Sequence, residues 1–379
     1  MKVAILESIL MPAGHEIEFD RILVEEIQAA GHEVCFFAPP NFQFKVDYKV
    51  PVIELAGGEA ISYAGIGPFK KILLSTQRGR RRKQWFNDAY NKAKQGMCDM
   101  IIVPTASYRY TNSLLGSSLK DSPVPVVFIM HGIIPSQKQQ FISAVKKSLP
   151  YKNIHFVVIT LRDDFAGESL RNLHLFAPPV YIPRHLQGKP SFTQHTPLRI
   201  GFFGQYRREK NLEFFLKAFE QARFSVPVEL IVQGATAKPE DANDFTRLTE
   251  EYKKLPSVRF WHKNLIGAEW EQALLDVDVI LMPYAAERYR YQTSAMLFTA
   301  LGFNKPVLLS PEINPEVLHN YQVGEAVRLD SPSTFANQLS AFVNDFAVNA
   351  RKYEYNLEKA NVAYSPESFV KNILKLKDI

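Results

Sequence analysis

Short apolar runs alternate with amphipathic stretches from one end of the chain to the other. KVAILES reads as a buried strand, and IEFDRILVEEIQAAGHE follows with apolar residues three and four apart, the spacing of one helical face. VCFFAPP, MIIVPT and VPVVFIMHG are further strands, and IHFVVIT closes the first half. The second half repeats the theme with LRIGFFG, VELIVQG, SVRFWH, VDVILMPY, KPVLLSP and EAVRLD. Strand and helix in alternation predict parallel sheets covered on both faces. Between the halves, YIPRHLQGKPSFTQHTPLRI is rich in proline, glycine and polar residues and reads as a linker. The pattern therefore predicts two doubly wound, Rossmann-like α/β domains over residues 1–183 and 197–360. Open parallel sheets bind ligands beyond the carboxyl ends of their strands, so two such domains facing each other predict a site in the cleft.

Length agrees, because 379 residues are too many for one ordinary core. A net charge of +6 suits an anionic small molecule, an anionic membrane surface or nucleic acid, and does not choose among them. The two cysteines, Cys35 and Cys98, lack metal-ligand spacing and fit a reducing, cytoplasmic setting. MKVAILESIL is too short and too lightly flanked for a signal peptide, and no apolar run reaches membrane-spanning length.

Candidate chemistry begins at GFFGQYRREKN, residues 201–211, where a strand stops at Gly204 and turns basic before the helical LEFFLKAFEQA. Lys210 is expected at or just inside the helix start, with Arg207 and Arg208 aimed at the same place. Cations there oppose the helix dipole at a cost of roughly 0.3–1 kcal/mol each unless an anion offsets them. The alternative is a solvated charged turn. Neither a P-loop nor GxGxxG occurs here. A second such end comes after VILMPY: Thr293 and Ser294 are the predicted caps of a new helix, and the amides of Ser294 and Ala295 are candidate phosphate donors. Asp276-Val277-Asp278 looks like a metal-binding DxD but precedes a buried strand at a helix end, and is read as structural. No other His, Cys or carboxylate cluster is seen, so no metal is expected.

RGRRRKQWFNDAYNKAKQG, residues 78–96, predicts a helix with Trp85, Phe86, Ala89, Tyr90 and Ala93 on one face. Arg78, Arg80, Arg81, Arg82 and Lys83 would crowd its N-terminal end. They read as a contact for anionic lipid headgroups or a phosphate-bearing lipid acceptor, against the plainer reading of a solvated charged face. A nucleic-acid partner would want a recognisable binding module, and none is present.

These residues carry a resemblance to the GT-B glycosyltransferases, especially the large retaining nucleotide-sugar family (family four, glycosyl transferases group 1). Gly204 and Lys210 match its glycine and lysine; Gln205 stands where an arginine is usual, with Arg207 or Arg208 as substitutes. ALGFNKPVLLSPEINPE matches the family's later stretch through Pro306 and Glu316. Counting back, the family's paired glutamates fall on Tyr291 and Thr299, so the pair is missing and Glu287 is the nearby acidic candidate. Gly14 matches the glycine after the first strand, AGHEV closes the first helix as the family's does, and His131 ends a strand where the family places a histidine near the transferred sugar. SPESFVKNILKLKDI, within residues 361–379, resembles the C-terminal helix that crosses back to the first domain. The resemblance implies a hexosyltransferase moving sugar from a UDP- or GDP-linked donor, without metal or cofactor, to a glycan or lipid-linked acceptor. It also implies surface polysaccharide or glycolipid synthesis in bacteria, at the inner face of the membrane. Gln205, Arg207, Arg208, Lys210, Gly234, Tyr291, Thr293, Ser294, Ala295 and Thr299 form the expected donor set, with Gly14 beside them. His131 and Glu287 are the catalytic candidates. Two readings stay open beside this one: a GT-like binding protein without catalysis, and a GT-B sugar-nucleotide epimerase.

Overall fold

The computed structural model describes residues 1–9, 15–61, 68–162, 165 and 167–379. Its contacts divide the chain into two units: Glu16–Pro178 and Pro366–Ile379 together with the first strand, and Pro179–Ser365.

The first unit runs β1 (Lys2–Leu6), α1 (His15–Ala29), β2 (Glu33–Ala38), β3 (Val52–Glu54), α2 (Pro68–Lys94), β4 (Met100–Ala106), α3 (Tyr108–Leu115), β5 (Val126–Met130), α4 (Pro135–Lys147), β6 (Ile154–Ile159) and β7 (Leu173–Phe176). Its strands form a parallel sheet in the order β3-β2-β1-β4-β5-β6-β7. The order reverses direction between β1 and β4. β5 and β6 are buried along their whole length, which is why they read as continuous apolar runs. The edge strands β3 and β7 are only partly covered, so they carry no such run and escape the sequence pattern. The first half thus ends one strand later than IHFVVIT.

The second unit runs β8 (Leu198–Phe202), α5 (Leu212–Gln221), β9 (Val228–Gln233), α6 (Pro239–Tyr252), β10 (Val258–Trp261), α7 (Ala268–Leu275), β11 (Val279–Met282), α8 (Ala295–Gly302), β12 (Val307–Leu309), α9 (Pro315–Tyr321), β13 (Gly324–Ala326), α10 (Pro332–Asn344) and α11 (Phe346–Ala363). Its parallel sheet has the order β10-β9-β8-β11-β12-β13, with the reversal between β8 and β11. On α5, Leu212, Phe215, Leu216 and Phe219 are buried three and four apart, and Phe215 meets Phe335 of α10 ring to ring at 5.5 Å.

The stretch read as a linker is strapped to the second unit. Tyr181 and Ile182 at its start are buried, as is Val180 just before it. The Tyr181 N–H donates to Phe298 O at 3.2 Å, and Val180 N–H to Tyr364 O at 2.8 Å. Its polar composition concealed this short apolar anchor. At the other end, α12 (Pro366–Leu374) belongs to the first unit, where Phe369 packs edge-on against Phe19 and Phe176.

Candidate active site

β8 and β11 are hydrogen-bonded neighbours, and the turns that leave these two strands meet at the second sheet's reversal point. After β8 the chain passes through Gly204 at φ +102°, a conformation that side chains disfavour, with its N–H donating to Gln233 Oε1 at 2.8 Å. Gln205 is half-buried and bridges to Ala235. One 3₁₀ turn, Arg208–Lys210, then leads through Asn211 in the left-handed region into α5. Lys210 therefore lies in the turn before the helix rather than inside it. The residue is only 5% exposed, and its ammonium donates to Phe203 O at 3.3 Å and stands 5.0 Å from the centre of the Tyr284 ring. Burial first, then the Arg207 and Arg288 guanidiniums, press its pKa down to about 7, and Glu209 opposes them.

After β11, a second 3₁₀ turn spans Glu287–Arg290. It is tied to the first: Ala285 N–H donates to Glu209 O at 2.9 Å, and the Arg288 guanidinium forms a short ion pair with Glu209 Oε1. Arg207 reaches the same carboxylate oxygen at 3.2 Å. Both arginines also donate to Tyr289 Oη, at 3.4 and 3.1 Å. The Tyr284 hydroxyl is buried beside them and has no hydrogen-bond partner among the described residues. Arg208, by contrast, is two-thirds exposed and turns to Asp244 at 3.7 Å. Of the two expected substitutes, only Arg207 joins the cluster. Arg288 was missed; it stood in plain view in AAERYRYQ, but no local pattern separates it from Arg290, which pairs with Glu312 instead.

The N-terminus of α8 departs from expectation in its details. Ser294 is the N-cap, accepting from Leu297 N–H at 3.4 Å, while Thr293 is half-buried before it. The Ser294 amide, however, donates to Asn314 Oδ1 at 2.8 Å, so it is not open to a phosphate. Of the two expected amides, this leaves that of Ala295 as the candidate. Thr299 is buried and spends its hydroxyl proton on Ala295 O at 2.9 Å, leaving only acceptor capacity. Tyr291 is half-buried at the end of the 3₁₀ turn, and Glu287 is exposed. Gly234 has a packing reason of its own: a Cβ there would lie 2.5 Å from the Phe245 ring.

In the first unit, His131 comes directly after β5. Its Nε2 lies 3.0 Å from Pro104 O, so that nitrogen carries a proton and donates to the carbonyl. Phe19 packs edge-on at 4.5 Å and fixes the ring. Gly14 lies outside the described residues. Beyond β1, the sequence reading missed a buried carboxylate pair. Glu7 accepts from the N–H groups of Ser8 and Ile9 at 2.6 and 2.5 Å, and burial pushes its pKa up to about 7. Asp20 is raised as well, by burial and by the Glu7 and Glu16 charges. Lone acidic residues in a strand end and a helix give no local signal of such a meeting.

The basic stretch is not at a helix N-terminus. α2 opens at Pro68, so Arg78–Lys83 lie mid-helix, away from the N-terminal end where they were expected. Arg82 is buried, with its guanidinium 3.8 Å over the Tyr110 ring and Nη1 3.4 Å from Ser113 Oγ. Arg81 donates to Glu59 O. The Trp85, Phe86, Ala89 and Ala93 face is buried as expected, with Tyr90 half-buried beside it.

Asp278 is fully buried and accepts from the N–H groups of His195 and Arg199, at 3.1 and 2.8 Å, and pairs with His195 Nδ1 at 2.7 Å. It clamps the strap to the second sheet. Among the described residues no group of three or more His, Cys, Asp or Glu could hold a metal ion, and no helix is long and apolar enough to cross a membrane.

The two doubly wound units have the GT-B fold. Residues 197–345, nearly all of the second sheet and its helices, match the family described as glycosyl transferases group 1, and it is this family that the chain resembles. No curated protein matches the chain in sequence. Among solved structures, HepE of Anabaena in complex with UDP-glucose has a TM-score of 0.63 at 13% identity, covering 99% of this chain and 98% of that one. An α,α-trehalose-phosphate synthase (UDP-forming) from Burkholderia xenovorans, in complex with glucose-6-phosphate, has a TM-score of 0.68 at 12% identity over the whole of both chains. The lipopolysaccharide outer core galactosyltransferase WaaB has a TM-score of 0.61 at 12% identity, covering 99% of each.

Proposed function

We propose that the protein transfers a hexosyl unit from a nucleoside-diphosphate sugar to a hydroxyl of a glycan or lipid-linked acceptor, in the building of a bacterial surface polysaccharide or glycolipid. The observation that carries the reading is the convergence of Lys210, Arg207 and Arg288 beyond β8 and β11, at the reversal point where doubly wound sheets bind ligands. In the reaction, the bond between the sugar's anomeric carbon and the donor's β-phosphate oxygen breaks, and a bond from that carbon to the acceptor oxygen forms. The acceptor's hydroxyl proton leaves to a base, and charge builds on the departing diphosphate. Three cations fixed in advance would stabilise that charge without a metal ion. His131, directly after β5, is the proposed contact for a sugar hydroxyl. UDP is the first nucleotide to test, because HepE and the trehalose-phosphate synthase are described with it. Attachment at the inner face of a membrane belongs to this reading only as far as a lipid-linked acceptor requires it.

The test is a thermal-shift screen of UDP-, GDP-, ADP-, CMP- and dTDP-sugars on wild type and Lys210→Met, followed by assay of nucleoside diphosphate release. A ligand at one hundred times its dissociation constant stabilises by about 2.7 kcal/mol, which is readily seen. One nucleotide class shifting only the wild type supports the reading, and no shift with any of them sinks it. A binding protein without transfer remains the rival, favoured by Tyr291 and Thr299 at the glutamate positions and by the Thr299 hydroxyl turned into its own helix. Nucleotide binding without release of diphosphate to any acceptor would select it.

A further inference from the structure

The first sheet also reverses direction, between β1 and β4, and a pocket of about 600 Å³ opens there. Ile9 after β1, Thr105 to Ser107 at the end of β4, the first turns of α3 and one face of α2 line it. Arg78, Arg80, Arg82, Lys83 and Arg109 all reach it, and among the described residues its lining includes no Asp or Glu. The start of α3 faces the same space, with Ser107 as N-cap making no side-chain capping bond. Cations and a helix N-terminus converging on one crevice favour an anion with many acceptor oxygens. A phosphate or diphosphate presents such oxygens to several donors at once, whereas a single carboxylate presents two.

Gly79 points the same way. It sits inside α2 and lines the pocket, yet a Cβ there would meet nothing within 4 Å. Glycine is a poor helix former, and packing does not demand it here; close approach of a ligand to the helix would.

We propose that this crevice binds the phosphate or diphosphate group of the acceptor, so that the enzyme glycosylates a phosphorylated substrate. The proposal rests on the transferase reading for its meaning, but the binding itself does not. Inorganic pyrophosphate is titrated calorimetrically into the full chain with the second unit saturated by UDP, or blocked by Lys210→Met if UDP does not bind. Wild type should bind. Arg80→Ala/Lys83→Ala should weaken binding at least tenfold. Gly79→Leu should abolish it while melting at or above the wild-type temperature, which separates a filled pocket from a lost fold. Absence of binding to wild type, or equal binding by all variants, overturns the proposal and leaves the donor reading untouched. Flotation with phosphatidylcholine vesicles carrying a polyprenyl diphosphate then distinguishes the sources: recruitment assigns a lipid-linked acceptor, and pyrophosphate binding without recruitment assigns a soluble phosphorylated sugar. Equal recruitment by phosphatidylglycerol vesicles, with no pyrophosphate binding, would overturn it in favour of a general membrane contact.

Discussion

The Lys210 ammonium donates to the Phe203 carbonyl at 3.3 Å, which holds a buried cation at the carboxyl end of β8. The geometry keeps the amine in place before any ligand arrives. Its cost is the desolvation that presses the pKa down to about 7. Replacing it with methionine keeps the packing and removes the charge. Hydrogen bonds to charged groups contribute about 1.5–3 kcal/mol, so Lys210→Met should weaken donor binding by roughly tenfold to more than a hundredfold. Its thermal stability without ligand should stay equal or rise. Calorimetry and a melting curve check the two halves separately.

The same pKa sets the pH dependence. A folded pKa below the unfolded value means the stability from this group is full above pH 10.5 and is lost as pH falls through about 7. A bound diphosphate favours the charged amine, so donor binding above pH 7 takes up a proton and weakens as pH rises. In Lys210→Met that slope of affinity against pH should flatten. A wild-type affinity independent of pH between 7 and 9 would refute the assignment.

Glu209 lies between Arg207 and Arg288 and competes with any incoming anion for both. Glu209→Gln should therefore tighten nucleoside-diphosphate binding severalfold, while Arg288→Ala should weaken it tenfold or more. If both variants bind like wild type, the cluster is a structural ion-pair network.

Glu7 gives a stability test in the first unit. Its folded pKa, raised to about 7 from 4.5, means that its contribution is full below pH 4.5 and is lost as pH rises through 7. Gln can keep the acceptor for Ser8 and Ile9. Glu7→Gln should thus show a smaller loss of urea midpoint between pH 5 and pH 8 than wild type. An unchanged loss would move the effect to Asp20.

Gly234→Ala would place a methyl against the Phe245 ring and should destabilise by about 1–3 kcal/mol, read as a lower urea midpoint. Unchanged stability would mean that the ring can move aside.

The sequence by itself determined the class of fold, because strands buried on both faces must be apolar throughout and the helices between them must be amphipathic. It also located Lys210, since a cation turn between strand and helix is a local event. Edge strands β3 and β7 were hidden, being too little buried to need an apolar run. Only the tertiary structure decided which arginines gather beside Lys210. Glu209 and Arg288 are 79 residues apart and meet because β8 and β11 pair. Arg207 and Arg208 are adjacent, and the turn sends one inward and the other to Asp244. The basic run of α2 becomes a pocket wall for the same reason: β4 and α3 return beside it. Periodicity reaches a few turns along the chain, whereas a site is built from segments that strand pairing brings together.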